Sequence, residues 1–357
     1  MDFDTHAMSL RLPLGECFSS FNIEEAVCNH GFFMMSPNVW IPSTKSLTRP
    51  LRLSNSIDSA TVTISHPPNF PFLLIKVDQN LSSPDQQAIL EQVARMLRIS
   101  QKDEKHVREF HEVHASAKNR GFGRIFRSPS IFEDAIKSIL LCNCTWDRTL
   151  HMARTLCQLQ AKLTCKTKKR GKRKRSEPRM GNFPNAKELA RFDEGFLKRH
   201  CNLGYRANYV IELARNVDSG KLRLEEYEDA TCHEEVFRQL MKINGFGPFA
   251  CSNVLMCIRF YQKVPVDTET IRHLKKVHDR EGCCKGTVEK DVEQIYGEYA
   301  PYQCLTYWLE LLEDYENQFG KLSKLESSEY HKVTGGLGLR SKSNKTKGEI
   351  LTGCWCC

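Results

Sequence analysis

The residues with the most evident chemistry lie in Gly245-Phe246-Gly247-Pro248 and in the acid that follows at Asp267. Apolar spacing over 234–243 predicts a helix ending near Ile243. The two glycines permit positive φ and close backbone approach, and Pro248 suits the first turn of a second helix. Such a helical hairpin directs unpaired N–H groups outward at a helix N-terminus, where they and the macrodipole can hold a phosphate without a cationic side chain. Taken alone, the motif reads equally as a tight connection between two packed helices. Asp267, in Val264-Pro265-Val266-Asp267-Thr268-Glu269-Thr270, opens the next helix. Its simplest role is an N-cap, yet capping amides keep a carboxylate ionised near neutrality, so the same group can be reactive.

The elements that must position these residues divide by period. Over 1–104 the chain reads as a sheet-plus-helix domain. Ala60–Ser65 alternates with period two, Phe72–Val77 is a buried-strand candidate, and Ser83-Pro84 caps a helix carrying Ile89, Leu90, Val93, Met96 and Leu97 on one face. Over 105–320 three- and four-residue apolar spacing recurs in 131–141, 149–160, 207–217, 234–243, 249–260 and 303–315, which predicts a helical domain. Leu305, Trp308, Leu309 and Leu312 share a helical face, so Trp308 reads as core. Beyond 320 a disordered tail is expected. The predicted class is mainly α with a smaller α+β N-terminal part containing an antiparallel sheet.

Charge is unevenly placed. The chain carries a net +9, but residues 166–179 hold nine Lys/Arg against one Glu and 321–357 hold seven against three, leaving the remaining body slightly acidic. The run 166–179 reads as a mobile loop, suited to nuclear import or to gripping phosphate. Any nucleic-acid surface on the body must then be built locally, from helix termini, backbone amides and a few arginines. No apolar stretch approaches the roughly 20 residues a membrane helix requires, and the N-terminus lacks the order of a secretory signal. A soluble nuclear monomer without a membrane partner is expected. The sixteen cysteines are scattered, and Cys157, Cys251, Cys257 and Cys304 fall in helical apolar patterns, which reads as reduced, packed thiols.

In combination, the hairpin, the Gly/Pro loop and the following aspartate resemble the helix-hairpin-helix-GPD superfamily of base-excision DNA glycosylases. Further matches follow in chain order. Phe132–Asn143 is similar to the family's helix leading to a DNA-inserting Asn or Gln, which places Asn143 there. Leu203-Gly204-Tyr205-Arg206-Ala207-Asn208-Tyr209 is similar to a segment of 8-oxoguanine DNA glycosylases. The resemblance covers about 105–320 and implies a helix-hairpin-helix glycosylase architecture acting on double-stranded damaged DNA. It implies that Tyr205 wedges between bases, that Asn143 fills the vacated space, and that Arg206 contacts the estranged base or a phosphate. Gly245, Phe246 and Gly247 would grip the strand, and the carbonyls of Met241, Ile243 and Phe246 would hold a monovalent cation, sodium or potassium. Some relatives carry an iron–sulfur cluster on four closely spaced cysteines. Only Cys283-Cys284 and a distant Cys304 occur in the corresponding place, so none is expected.

One departure from the family pattern carries mechanism. Bifunctional members place a lysine two residues after the second hairpin glycine, where it attacks C1′ as an amine. Phe249 stands there in this chain. Water then becomes the nucleophile, with Asp267 stabilising the oxocarbenium charge and orienting or deprotonating that water. The expectation is a monofunctional DNA N-glycosylase leaving an abasic site. The Pro248-Phe249 pair also resembles that of inducible 3-methyladenine glycosylases, where an aromatic wall stacks on alkylated bases. Phe249, Tyr302, Phe32 and its neighbour Phe33 are the base-pocket candidates. Two other readings stand beside this one: an 8-oxoguanine-type glycosylase with a displaced lysine such as Lys263, and a non-catalytic helix-hairpin-helix DNA-binding protein.

Overall fold

The computed structural model describes residues 8–165 and 180–335. The basic run 166–179 and the segment 336–357 lie outside the described residues, and so do the roles expected of them.

Five strands, β1 (Met8–Pro13), β2 (Val39–Ile41), β3 (Ser46–Arg52), β4 (Ser59–Ser65) and β5 (Phe72–Val77), form one antiparallel sheet in the order β1-β5-β4-β3-β2. The period-two pattern of β4 fixes its register. Ala60, Val62 and Ile64 are buried, with Leu47 opposite Ile64 on β3 and Ile75 opposite it on β5. β5 was expected to be buried throughout. It fully buries only Leu73, Ile75 and Val77, while the alternating Phe72, Leu74 and Lys76 are half-buried on the other face. Pro50 is tolerated within β3 because β2 pairs only with Ser46–Thr48, so Pro50 has a single neighbouring strand. The helix Ser83–Leu97 closes the covered face with Ile89, Val93, Met96 and Leu97. Its cap is Ser82, one residue earlier than expected, and Pro84 lies in its first turn.

The remainder is helical. The expected boundary at 104/105 falls inside the helix Gln101–Val113. At the centre lies Ile131–Leu141, capped by Ser130 and buried along its whole length between the sheet layer and the later helices. Its charged residues are partnered across that junction. Arg49 of β3 meets Glu133 at 2.9 Å, Lys137 meets it at 2.8 Å, and Arg95 reaches Asp134 at 2.9 Å. Burial alone would raise the Glu133 carboxyl, but Arg49 and Lys137 outweigh it and bring it down to about 2.

The tail expected beyond 320 is ordered and packed as far as residue 335. Leu322, Tyr330 and Val333 are buried, Trp40 Nε1 donates to the Ser323 carbonyl and Trp146 Nε1 to that of Tyr330, each at 2.8 Å. A few well-spaced anchors hold a segment whose average composition is polar. No described helix is long and apolar enough to cross a membrane.

Candidate DNA-binding cleft and active site

The hairpin forms as its residue types require. The helix His233–Leu240 buries Val236 and Leu240, and the second helix, Pro248–Cys257, begins with Pro248 after Gly247. Gly245 takes φ +88°, and a Cβ there would lie 2.4 Å from Cγ of Tyr209, so both conformation and packing demand glycine. Gly247 differs from expectation. Its φ is −107°, and a Cβ would meet nothing within 4 Å. What glycine leaves there is open space beside the first turn of a helix that no side chain caps. Phe246, between the two glycines, is buried. Asn244 ties the turn to the helix Arg206–Asp218 through a 2.8 Å hydrogen bond to Glu212.

Asp267 caps the helix Thr268–Val277. Its Oδ1 accepts from the Thr270 amide at 2.9 Å and from the Thr270 hydroxyl at 3.1 Å. Thr270 is held in turn by Tyr307, whose hydroxyl lies 3.0 Å away on the helix Gln303–Phe319. Asp267 itself is half-buried and lines a cleft of about 730 Å³.

That cleft brings together residues distant in the chain: Asn143, Tyr205, the turn 245–247, Phe249 and Asp267. Asn143 follows the central helix, exposed, with φ +47°. Tyr205 is 49% exposed and its hydroxyl donates to the Cys142 carbonyl at 3.4 Å. Arg206 requires a correction. Expected to offer its charge to DNA, it is 1% exposed, and its guanidinium donates to the carbonyls of Cys142 and Asn143, the latter at 2.8 Å, while lying 4.6 Å from the Tyr205 ring. It positions the Asn143 and Tyr205 loops. A buried guanidinium must use its donors inside the protein.

Two base-pocket candidates also lie elsewhere. Phe32 is fully buried in the turn Gly31–Met34, under His30 and 5.5 Å from Lys137 Nζ, and Phe33 packs edge-on to Tyr330. Tyr302 is buried against the helix Gln101–Val113, donating to Glu109 and lying 3.4 Å from His106. Neither Phe32 nor Tyr302 lines the cleft. Trp308 is core, as expected. The sequence reading missed Tyr209, the helix Val288–Tyr296 with Glu289 and Glu293, and Lys285, all of which line the cleft. Only the apolar period of 288–296 signalled that helix, and nothing local signalled which wall it forms. Lys263 is in the cleft too, its Nζ 4.8 Å from the Phe237 ring centre.

No family model matches the chain. It is 36% identical over 106 residues to an N-glycosylase/DNA lyase of Saccharomyces cerevisiae, a match covering 27% of this chain and 28% of that protein. The chain thus spans little more than a quarter of that relative. Among solved structures, a 3-methyladenine DNA glycosylase from Archaeoglobus fulgidus superposes with a TM-score of 0.56 at 18% identity, covering 88% of this chain and 99% of the other. An 8-oxoguanine glycosylase/lyase from Clostridium acetobutylicum in its apo form gives 0.54 at 15% identity, covering 78% and 93%.

Proposed function

From a chain with the fold of the helix-hairpin-helix DNA glycosylases, we propose a DNA N-glycosylase of base-excision repair. It acts as a nuclear monomer that turns a damaged base out of duplex DNA and hydrolyses its glycosidic bond. The observation that supports this most is the convergence of Asn143, Tyr205, the hairpin turn and Asp267 on one cleft. A pure binder would need the turn but not a half-buried carboxylate facing the same space.

In this reading the hairpin amides and the open space at Gly247 receive the backbone phosphate. Tyr205 enters the stack and Asn143 fills the gap, offsetting an extrusion cost of a few kcal/mol. The C1′–N bond breaks with its electron pair leaving on the base. Asp267 stabilises the oxocarbenium charge and takes a proton from the water that attacks C1′; a cationic alkylated base leaves neutral with the bond pair, a base leaving as an anion recovers the water's proton, and an abasic site remains. The carbonyls of Met241, Ile243 and Phe246 suit a monovalent cation. They are neutral oxygens on one tight turn, and Ile243 O, which accepts the Phe246 amide at 3.0 Å, keeps a second lone pair. When bound, such an ion adds positive charge beside the phosphate.

Phe249, in the cleft wall, favours hydrolysis without strand cleavage and an electron-poor alkylated base as the stacking partner. A second reading, an 8-oxoguanine-type lyase, is favoured by Lys263, an amine in the same cleft. One experiment separates them. Duplexes carrying single lesions are incubated with the protein and divided between alkali and borohydride. Alkali-dependent breaks at alkylated purines without a trapped adduct support the first reading. A borohydride-trapped adduct that disappears in Lys263→Gln establishes the second, and no base release from any lesion rejects both.

A further inference from the structure

Behind the Asp267 helix is a second group of polar side chains, for which the reading above has no use. His273 stands in the middle of the helix Thr268–Val277, His278 is its C-cap, and Glu310 comes from the middle of Gln303–Phe319. One ligand atom from each lies within 4.8 Å of the others. Three groups converge on a single carboxylate oxygen, Glu310 Oε2: His278 Nε2 at 2.8 Å, His273 Nε2 at 3.4 Å and the Tyr296 hydroxyl at 2.6 Å. His273 is wholly buried, whereas the side chains of His278 and Glu310 keep about a quarter of their surface exposed, which leaves a way in from solvent.

We propose that His273, His278 and Glu310 bind a borderline transition metal, zinc foremost. Two imidazole nitrogens and a carboxylate are a zinc donor set, and bonds of about 2.0–2.1 Å in a tetrahedron place ligand atoms about 3.3–3.4 Å apart. The two histidine–carboxylate separations, 2.8 and 3.4 Å, lie within about 0.6 Å of that value, and the two imidazoles, whose ligand atoms stand within 4.8 Å of one another, close on the ion as it enters. On metal entry each neutral imidazole turns its Nε2 lone pair inward and carries its proton on Nδ1. Tyr296 keeps its proton and continues to donate to the carboxylate, the outer contact that orients a metal-bound carboxylate. Water completes the fourth position. The ion fastens the far end of the Asp267 helix to the helix that supplies Tyr307, whose ring packs edge-on against His273 at 5.6 Å. The ion is therefore a brace between two helices set behind the reactive acid, with no part in the glycosidic step.

The full-length protein, stripped with chelator, is melted with and without zinc, and its cobalt(II) spectrum is recorded. At free zinc about a hundredfold above the dissociation constant, the melting temperature rises by roughly 4 °C. The cobalt spectrum shows visible tetrahedral bands without near-ultraviolet thiolate absorption. Glu310→Gln and the solvent-side variant His278→Gln each abolish both responses, with the metal-free melt of His278→Gln confirming that the variant folds. An unchanged melt, thiolate bands, or full responses in both variants would overturn the assignment, thiolate bands placing the metal on cysteines and full responses in both variants placing it on residues other than these. None of these readouts depends on glycosylase activity.

Discussion

Asp267→Asn is the substitution on which the proposed chemistry turns. Asparagine keeps an Oδ1 acceptor for the Thr270 amide at 2.9 Å, so the helix cap survives and only the charge is removed. The folding cost is that of one charge at a helix N-terminus, about 0.3–1 kcal/mol. The catalytic cost is larger. A carboxylate about 4 Å from a developing unit positive charge, at an effective dielectric constant near 20, contributes about 4 kcal/mol. That corresponds to about a thousandfold in rate. The assay is single-turnover release of an alkylated purine from a duplex, paired with fluorescence anisotropy on a duplex carrying an uncleavable abasic analogue. Release should fall about a thousandfold while binding stays within about threefold. Release within about tenfold of the parent would refute the role of the charge. Loss of binding in step with release would show that Asp267 serves the DNA grip or the fold instead.

The two hairpin glycines should separate stability from binding. Gly245→Ala, which drives a methyl into Tyr209 at positive φ, should lower stability by about 2–4 kcal/mol in chemical denaturation. Gly247→Ala should stay within about 0.5 kcal/mol of the parent yet weaken DNA affinity, because its methyl enters the space proposed for the phosphate. Phe249→Lys sets an amine in the cleft wall and should yield a borohydride-trapped DNA adduct and strand cleavage, read on a denaturing gel. His30, enclosed by Phe32 and Trp308, has its pKa lowered to about 3, chiefly by burial and also by Lys137 and Arg98. It is therefore neutral when folded. Its stability contribution is complete above the unfolded value near 6.5 and is lost as pH falls through the interval down to about 3, amounting to about 2 kcal/mol by pH 5. Denaturant melts at pH 7 and pH 5 should show that difference, and His30→Asn, which keeps an acceptor for the Phe32 amide, should remove it.

What could be read from the chain was what is local. The hairpin announces itself through Gly245 and Pro248, whose backbone preferences act within a few residues, and Asp267 through the capping pattern that follows it. Side-chain placement across the fold is another matter. Arg206 was expected at the DNA because the matching family segment implies a contact to the estranged base or a phosphate, and only the tertiary arrangement reveals two loop carbonyls waiting for its donors. Phe32 and Tyr302 are aromatic residues near turns, a description that fits core and pocket alike. The strand β3 was obscured by Pro50 and two arginines, which its short neighbour β2 makes tolerable. The segment 321–335 was hidden by polar composition, since its order depends on partners such as Trp40 and Trp146 nearly two hundred residues or more away.

The guanidinium of Arg206 joins a loop that follows the central helix to one that precedes the helix Arg206–Asp218. In effect Asn143 and Tyr205 are two tines of one fork. They cannot sample space independently, so their mutual alignment is already settled in the free protein. Cutting the handle, as in Arg206→Met, would let each tine search alone, and under the proposed function this slows insertion into the duplex without altering any group that touches the sugar.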